Sequence, residues 1–126
     1  MAKTKRQLVS DALVALRVIG AAETPTAEDY DEVADTYDDV LAELRDEGLC
    51  YWPNTGNDVA EIPQSIFQAL VLIVAHDASD AFGKDAPTIQ REGDGAELSA
   101  RNYGFARLRR HMRKRRSGEP TPFSPF

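Results

Sequence analysis

The residues that could do chemistry are few and scattered. His76 and Asp80 stand four apart, with Asp77 between them, so a helix would set His76 and Asp80 on one face. That is the spacing of two metal ligands, but a metal centre needs three or more, usually with a further His or Cys. The other histidine, His111, stands among arginines that repel a cation, and Cys50 is the sole cysteine. No metal site and no internal disulfide is expected. His76 reads as a histidine on a polar stripe. Carboxylate pairs recur throughout Glu28–Glu47, so none is marked as an acid–base couple. The chain has no GxSxG, no phosphate-binding Gly-rich loop and no CxxC. No catalytic residue, metal or cofactor is therefore expected, and the chain does not read as an enzyme.

Charge carries the stronger signal. The formal net charge of −6 hides a split. Residues 1–97 hold seven Lys and Arg against twenty Asp and Glu, a net of −13. Residues 98–118 hold eight Lys and Arg and no acid, a net of +8. Such asymmetry points to two surfaces with different partners.

The elements that must carry these charges are helices. The longest unbroken apolar run, Ala69 to Ala75, lies inside Glu61–Gly83. Phe67, Val71, Val74, Ala78 and Phe82 form one stripe there, and Ile62, Ile66, Leu70 and Ile73 another. Gln64, Gln68, His76 and Asp80 leave only a narrow polar stripe, so this helix should be central, covered by the others. Pro63 suits its first turn and Gly83 its left-handed end. A membrane span is not expected, because the apolar run is shorter than the ~18–20 residues a bilayer requires. Nor does a signal-length apolar segment follow the basic MAKTKR start, so secretion is not expected.

A first helix is expected over Lys5–Ile19, stopped by Gly20, with Leu8, Val9, Ala12, Leu13, Leu16 and Ile19 inward. The short AAETP linker should turn the next helix back antiparallel. That helix begins at Thr24–Pro25 as N-cap and first residue, with Thr26 and Asp29 as the alternative. Its core stripe is Tyr30, Val33, Tyr37, Val40, Leu41 and Leu44, and Gly48 ends it with Leu49 as its apolar contact. Its outer face carries Glu28, Asp31, Glu32, Asp35, Asp38, Asp39 and Glu43, dense enough to make it a candidate repelling surface. A solvated surface is the plain alternative.

Leu49–Glu61 is a loop, with Leu49–Trp52 and Val59–Ile62 as candidate strands of a short hairpin. Tyr51 and Trp52 are candidate interface anchors, with the core the favoured place for both. Residues 84–95 read as a loop with at most a helical turn after Pro87. A last helix runs from about Ala96 to Arg116, with Leu98, Phe105, Leu108 and Met112 on one face. Arg109, Arg110, Arg113, Lys114, Arg115 and Arg116 are candidate docking residues on the remainder. Pro120, Pro122 and Pro125 then impose an extended path, with Phe123 and Phe126 as anchors. The reading is an all-α, small antiparallel bundle of about four helices with a short hairpin loop. Residues 1–92 form the core, 93–117 the basic helix and 118–126 an extended docking tail.

The order of features resembles a known pattern. ALRVIG closes the first helix (Ala15–Gly20), TPTAED opens the second (Thr24–Asp29), and EGL ends it (Glu47–Leu49). An aromatic loop leads to EIP (Glu61–Pro63), and FG closes the apolar helix (Phe82–Gly83). Over roughly residues 8–83 this resembles the head–tail adaptor, or head-completion, proteins of tailed bacteriophages and gene-transfer particles. The resemblance implies a helical bundle that assembles as a ring, commonly of twelve subunits, under the portal protein. It implies neighbouring subunits, the portal and the next tail component as partners, with DNA passing through the channel without sequence-specific binding and no membrane. It also implies residence at the head–tail junction of the virion after synthesis in the host cytoplasm. Two complementary faces are what a closed ring of identical subunits requires. The rival reading is a small nucleic-acid-binding regulator that uses the basic helix.

Overall fold

The N-terminal helix starts where the sequence offers a capping box. Thr4 accepts a hydrogen bond from the Gln7 backbone N–H at 3.1 Å, and the Gln7 side chain accepts from the Thr4 N–H at 2.9 Å. In the computed structural model, which describes residues 2–90 and 97–118 (for 90, 97 and 116–118 the backbone alone), helix α1 spans Lys5–Ala15. It ends four residues before the expected stop. Arg17, at φ 61, takes the left-handed position instead of Gly20, and the Val18 N–H reaches back to the Leu13 carbonyl at 3.0 Å. Closing the turn there keeps Leu16 in the core and Val18 and Ile19 packed on its edge.

Helix α2 spans Ala27–Asp46 and is capped by Thr26, whose hydroxyl accepts from the Asp29 N–H at 3.2 Å. Thr24–Pro25 is not the start; a cap must present an oxygen to the N–H three residues on, and Thr26 does so. Gly48, at φ 73, ends it as expected. The Leu49 N–H bonds the Leu44 carbonyl at 2.8 Å, and Leu49 is buried.

The expected hairpin within 49–62 is not formed. Ala60–Ile62 (β2) pairs antiparallel with Lys3–Thr4 (β1) at the start of the chain. The Leu49–Trp52 segment is committed elsewhere. Leu49 and Trp52 are buried, and the Trp52 carbonyl accepts from Arg45 Nη2 at 3.2 Å and Cys50 Sγ at 3.4 Å. The intervening loop closes on Glu61, whose carboxylate takes the Thr55 N–H at 2.6 Å.

The apolar stretch is helical in three pieces. Pro63, at φ −60 and ψ 133, carries the chain out of β2 into a 3-10 turn, Gln64–Ile66. Helix α3 follows over Phe67–Ala78, and a second 3-10 turn, Ser79–Phe82, ends at Gly83 with φ 64. Extended pairing of Ile62 in β2 keeps a single helix from starting at Pro63. By length and composition Gln64–Phe82 would reach across a bilayer, which overturns the length argument made from the sequence. Burial is what distinguishes it. Leu70, Val71, Ile73, Val74 and Ala75 are at most 1% exposed, covered by α1, α2 and the last helix.

That last helix, α4, spans Ala100–Gly118. The segment before it is not helical. Thr88–Gln90 (β3) pairs antiparallel with Glu97–Ser99 (β4), in place of the turn expected after Pro87 and the start expected at Ala96. Ser99 Oγ accepts the Asn102 N–H at 3.0 Å and so starts the helix. The fold is thus a four-helix bundle around α3 with two small two-stranded sheets, mostly helical but not purely so.

Gly104 sets how closely α4 lies on α3. A Cβ there would stand 2.5 Å from Ile73 Cγ1 and 2.7 Å from the Ala69 carbonyl oxygen. Glycine lets the backbones approach closely and brings Phe105 and Leu108 into the shared core.

Candidate interaction faces

The acidic face of α2 divides in two. Glu28, Asp31, Glu32, Asp35 and Asp39 are exposed, and none forms an ion pair among the described residues. Three further acids hold the molecule together. Asp38 accepts from Lys5 Nζ at 2.8 Å and from Asn54 Nδ2 at 2.8 Å, tying α1, α2 and the loop. Glu43 pairs with Arg101, and Glu47 with Arg109 at 3.3 Å.

Helix α4 presents the complement. The Arg101 guanidinium forks between Glu43 and Asp77, reaching Asp77 Oδ2 at 2.7 Å, and lies 4.7 Å from the Phe105 ring centre. Arg109 covers the same ring at 5.4 Å. Arg107 lies over Tyr103 and Arg115 over Tyr51, at 5.8 and 4.0 Å. Guanidinium planes favour such stacking, which leaves their edges for oxygen ligands. Arg109, Arg110, Arg113, Lys114 and Arg115 are exposed, so these five docking candidates lie on one accessible helix. Arg116 belongs to α4 by its backbone. Pro120, Pro122, Phe123, Pro125 and Phe126 lie outside the described residues.

Tyr51 and Trp52 have separate roles. Trp52 is 4% exposed and its Nε1–H donates to Tyr37 Oη at 3.3 Å, so it is a core residue, as favoured from the sequence. Tyr51 is 38% exposed and turns to α4. Its hydroxyl stands 2.9 Å from His111 Nε2 and its ring stacks on the imidazole. Tyr51 thus packs within the chain, between the loop and α4. Burial, with the charges of Arg115 and Lys114, pushes the His111 pKa below its ordinary value. Burial likewise raises the Tyr37 phenol and the Cys50 thiol, so neither is primed to ionise near neutrality.

His76 Nδ1 lies 3.2 Å from Asp77 Oδ1, while Asp77 also holds Arg101. Among the described residues no group of three or more His, Cys, Asp or Glu is placed to hold a metal. Sequence reasoning missed Gly104, the Arg101 fork and two clefts. The larger, about 550 Å³, lies between α1 and the start of α2 and includes Arg6, Ser10, Glu23, Tyr30 and Asp31. Its charges are mixed, and Arg6 is committed to Asp58 at 2.7 Å. The smaller, about 280 Å³, lies between α4 and the turn leading into α3. The spacing Arg107, Arg110, His111, Lys114 is its one trace in the sequence, since steps of three and four set these residues on one helix face.

The chain matches no protein-family model, no curated protein and no solved structure at a significant level.

Proposed function

We propose that the chain is a structural head–tail adaptor of a tailed bacteriophage or related particle. In this reading it forms a ring under the portal, extends the DNA channel, retains packaged DNA and offers the attachment site for the tail. The observation that carries it is the separation of charge on one rigid core. Exposed acids occupy the outer face of α2, exposed bases occupy the second half of α4, and Glu43–Arg101 and Glu47–Arg109 clamp the two helices between them. A subunit with opposite charges at separate places suits the heterologous contacts of a ring. The resemblance over roughly residues 8–83 supports the same reading and supplies the commonly twelvefold ring.

The roles follow from the chemistry. Arg109, Arg110, Arg113, Lys114, Arg115 and Arg116, with the tail from Gly118 to Phe126, engage the portal. Glu28, Asp31, Glu32, Asp35, Asp38, Asp39 and Glu43 face a neighbouring subunit or the channel, where negative charge would repel DNA and let it slide. Asp38 and Glu43 are the weaker members, being engaged within the subunit.

The test is co-sedimentation of purified protein with purified portal rings. Saturable binding near one copy per portal subunit is expected, weakened by removal of residues 118–126. Binding unchanged by that deletion would remove the tail from the mechanism. No binding, combined with tight, steeply salt-dependent binding to duplex DNA, would replace the adaptor by a nucleic-acid-binding regulator. The exposure of Arg110, Arg113, Lys114 and Arg115 at one end of α4 favours that second reading. The acidic body disfavours it.

A further inference from the structure

We propose that the cleft between α1 and the start of α2 receives an arginine side chain of a partner polypeptide. The cleft holds about 550 Å³, enough for a guanidinium and its alkyl stem. Arg6, Ser10, Glu23, Tyr30, Asp31 and Asn57 are among its lining residues. Tyr30 Oη is buried and has no hydrogen-bond partner, alone in this among the buried side-chain polar atoms of the described residues. An unmet buried polar atom is costly, and a ligand group is one way to answer it. Asp31 forms no ion pair among the described residues. One Glu23 oxygen accepts the Gly20 N–H at 2.9 Å, and the other accepts nothing among the described residues. The Ser10 and Asn57 side chains likewise make no hydrogen bond among them.

The chemistry left open is that of oxygen acceptors. Carboxylate oxygens only accept, and hydroxyl and amide oxygens can do so too. Arg6 is the one cation among the lining residues, and Asp58 at 2.7 Å answers its charge, so Glu23 and Asp31 leave the cleft net negative. Burial raises the Tyr30 pKa, so its hydroxyl stays neutral and can accept from a cation. A guanidinium supplies several N–H donors in one plane and no acceptor, which matches this set better than an ammonium or a neutral group. The Tyr30 ring already carries the Arg6 guanidinium at 5.3 Å. That guanidinium is held by the exposed Asp58, so it yields at small cost and lets a second one reach Oη. A polypeptide is the source because the charge continues beyond the cleft. Glu28, Asp31, Glu32, Asp35 and Asp39 are all exposed, so a row of acids extends roughly 16 Å along α2. A small amine cannot span that row, whereas a segment with several basic residues can.

The proposal does not rest on the adaptor reading, because the cleft is complete in a single chain, and portal co-sedimentation tests that reading separately. Its own test is an NMR titration of the free full-length protein with N-acetyl-argininamide and with N-acetyl-citrullinamide, which has the same shape and no charge. Saturable shifts at Tyr30, Asp31 and Asn57 are expected with the arginine compound alone. Asp31→Asn, at an exposed side chain, should weaken binding severalfold, while Asp35→Asn/Asp39→Asn should leave it unchanged. Tyr30→Phe removes only the unmet hydroxyl. It should leave the unfolding midpoint unchanged or raised and still weaken binding severalfold, a pair of results that a purely structural Tyr30 would not give. Tri-arginine amide should bind about tenfold more tightly than the single residue at low salt and lose that gain in Asp35→Asn/Asp39→Asn. The proposal is overturned if no saturable shifts appear at the cleft, or if the citrulline compound binds equally well. It is equally overturned if Asp35→Asn/Asp39→Asn weakens the single residue as much as Asp31→Asn does, since the attraction would then be a diffuse property of α2. Tri-arginine amide binding no more tightly than the single residue would overturn the polypeptide as the source and leave a small guanidine in its place.

Discussion

Helices α2 and α4 are nearly equal in length and opposite in charge, yet they use charge differently. On the outer face of α2, Glu28, Asp31, Glu32, Asp35 and Asp39 are exposed and form no ion pair among the described residues. On α4 Arg101, Arg107, Arg109 and Arg115 lie over aromatic rings, and Arg101 forks onto two carboxylates. The cause is side-chain length and shape. Asp has too short a stem to reach across a helix surface, so a run of acids on an outer face generates a field and little contact. Arg has a long apolar stem and a planar head, so it covers apolar surface and still reaches an oxygen. The exposed acids should therefore matter to partners and hardly to folding, while the basic helix should matter to both.

The largest expected effect comes from breaking the seat of α4. Gly104→Ala would raise helix propensity by about 1 kcal/mol in an exposed helix. Here the added methyl meets Ile73 and the Ala69 carbonyl, so a net loss of about 1–3 kcal/mol is expected by denaturant unfolding. A stabilised variant would show that α4 shifts freely on α3.

Next comes the clamp between the helices. Arg101→Met leaves Glu43 and Asp77 without their shared donor and should cost about 1–2 kcal/mol, reduced by salt. Arg109→Met, at a more exposed pair, should cost about 0.5 kcal/mol or less. Equal losses would erase the distinction between a clamp and a surface pair.

A smaller effect concerns His111. Its folded pKa lies below the ordinary 6.5, so the unfolded chain binds more protons between the two values. Its share of stability is present above the unfolded value and is lost as pH falls through the folded one. Unfolding midpoints should drop as pH goes from about 7.5 to 5.5 in the wild type, and drop less in His111→Gln. An identical pH dependence in both proteins would place the titration elsewhere.

The smallest effect should come from the exposed acids. The triple change Asp31→Asn, Asp35→Asn, Asp39→Asn is expected to move stability by less than about 0.5 kcal/mol, with any gain larger at low salt. The same triple change should alter binding to portal rings or to neighbouring subunits. A large loss of stability would mean that these carboxylates make contacts within the fold.

Much of this was legible in the sequence. Periodicity marked α3 as the covered centre, because Phe67, Leu70, Val71, Ile73 and Val74 leave no polar face wide enough for solvent. Gly48 and Gly83 marked helix ends, because both needed a positive φ. The end of α1 escaped, since Arg17 took the left-handed position and no residue type announces that. The pairing of β2 escaped too. Lys3–Thr4 and Ala60–Ile62 lie far apart in the chain, and a three-residue strand carries too little pattern to name its partner.

What the sequence determined by itself is local: a buried central helix, two amphipathic helices of opposite charge, their caps, and the spacing of arginines along one face. Backbone propensity and apolar period act between near neighbours, so composition and order suffice to read them. What only the tertiary structure decided is which charges are spent inside the molecule. Glu43 and Glu47 meet Arg101 and Arg109, Glu28 and Asp35 meet no cation among the described residues, and Trp52 faces the core while Tyr51 faces α4. The pairings of Arg101 and Arg109 depend on how closely α4 can approach α3 at Gly104. That distance is set by atoms from two separate helices in contact, which no single stretch of the chain contains.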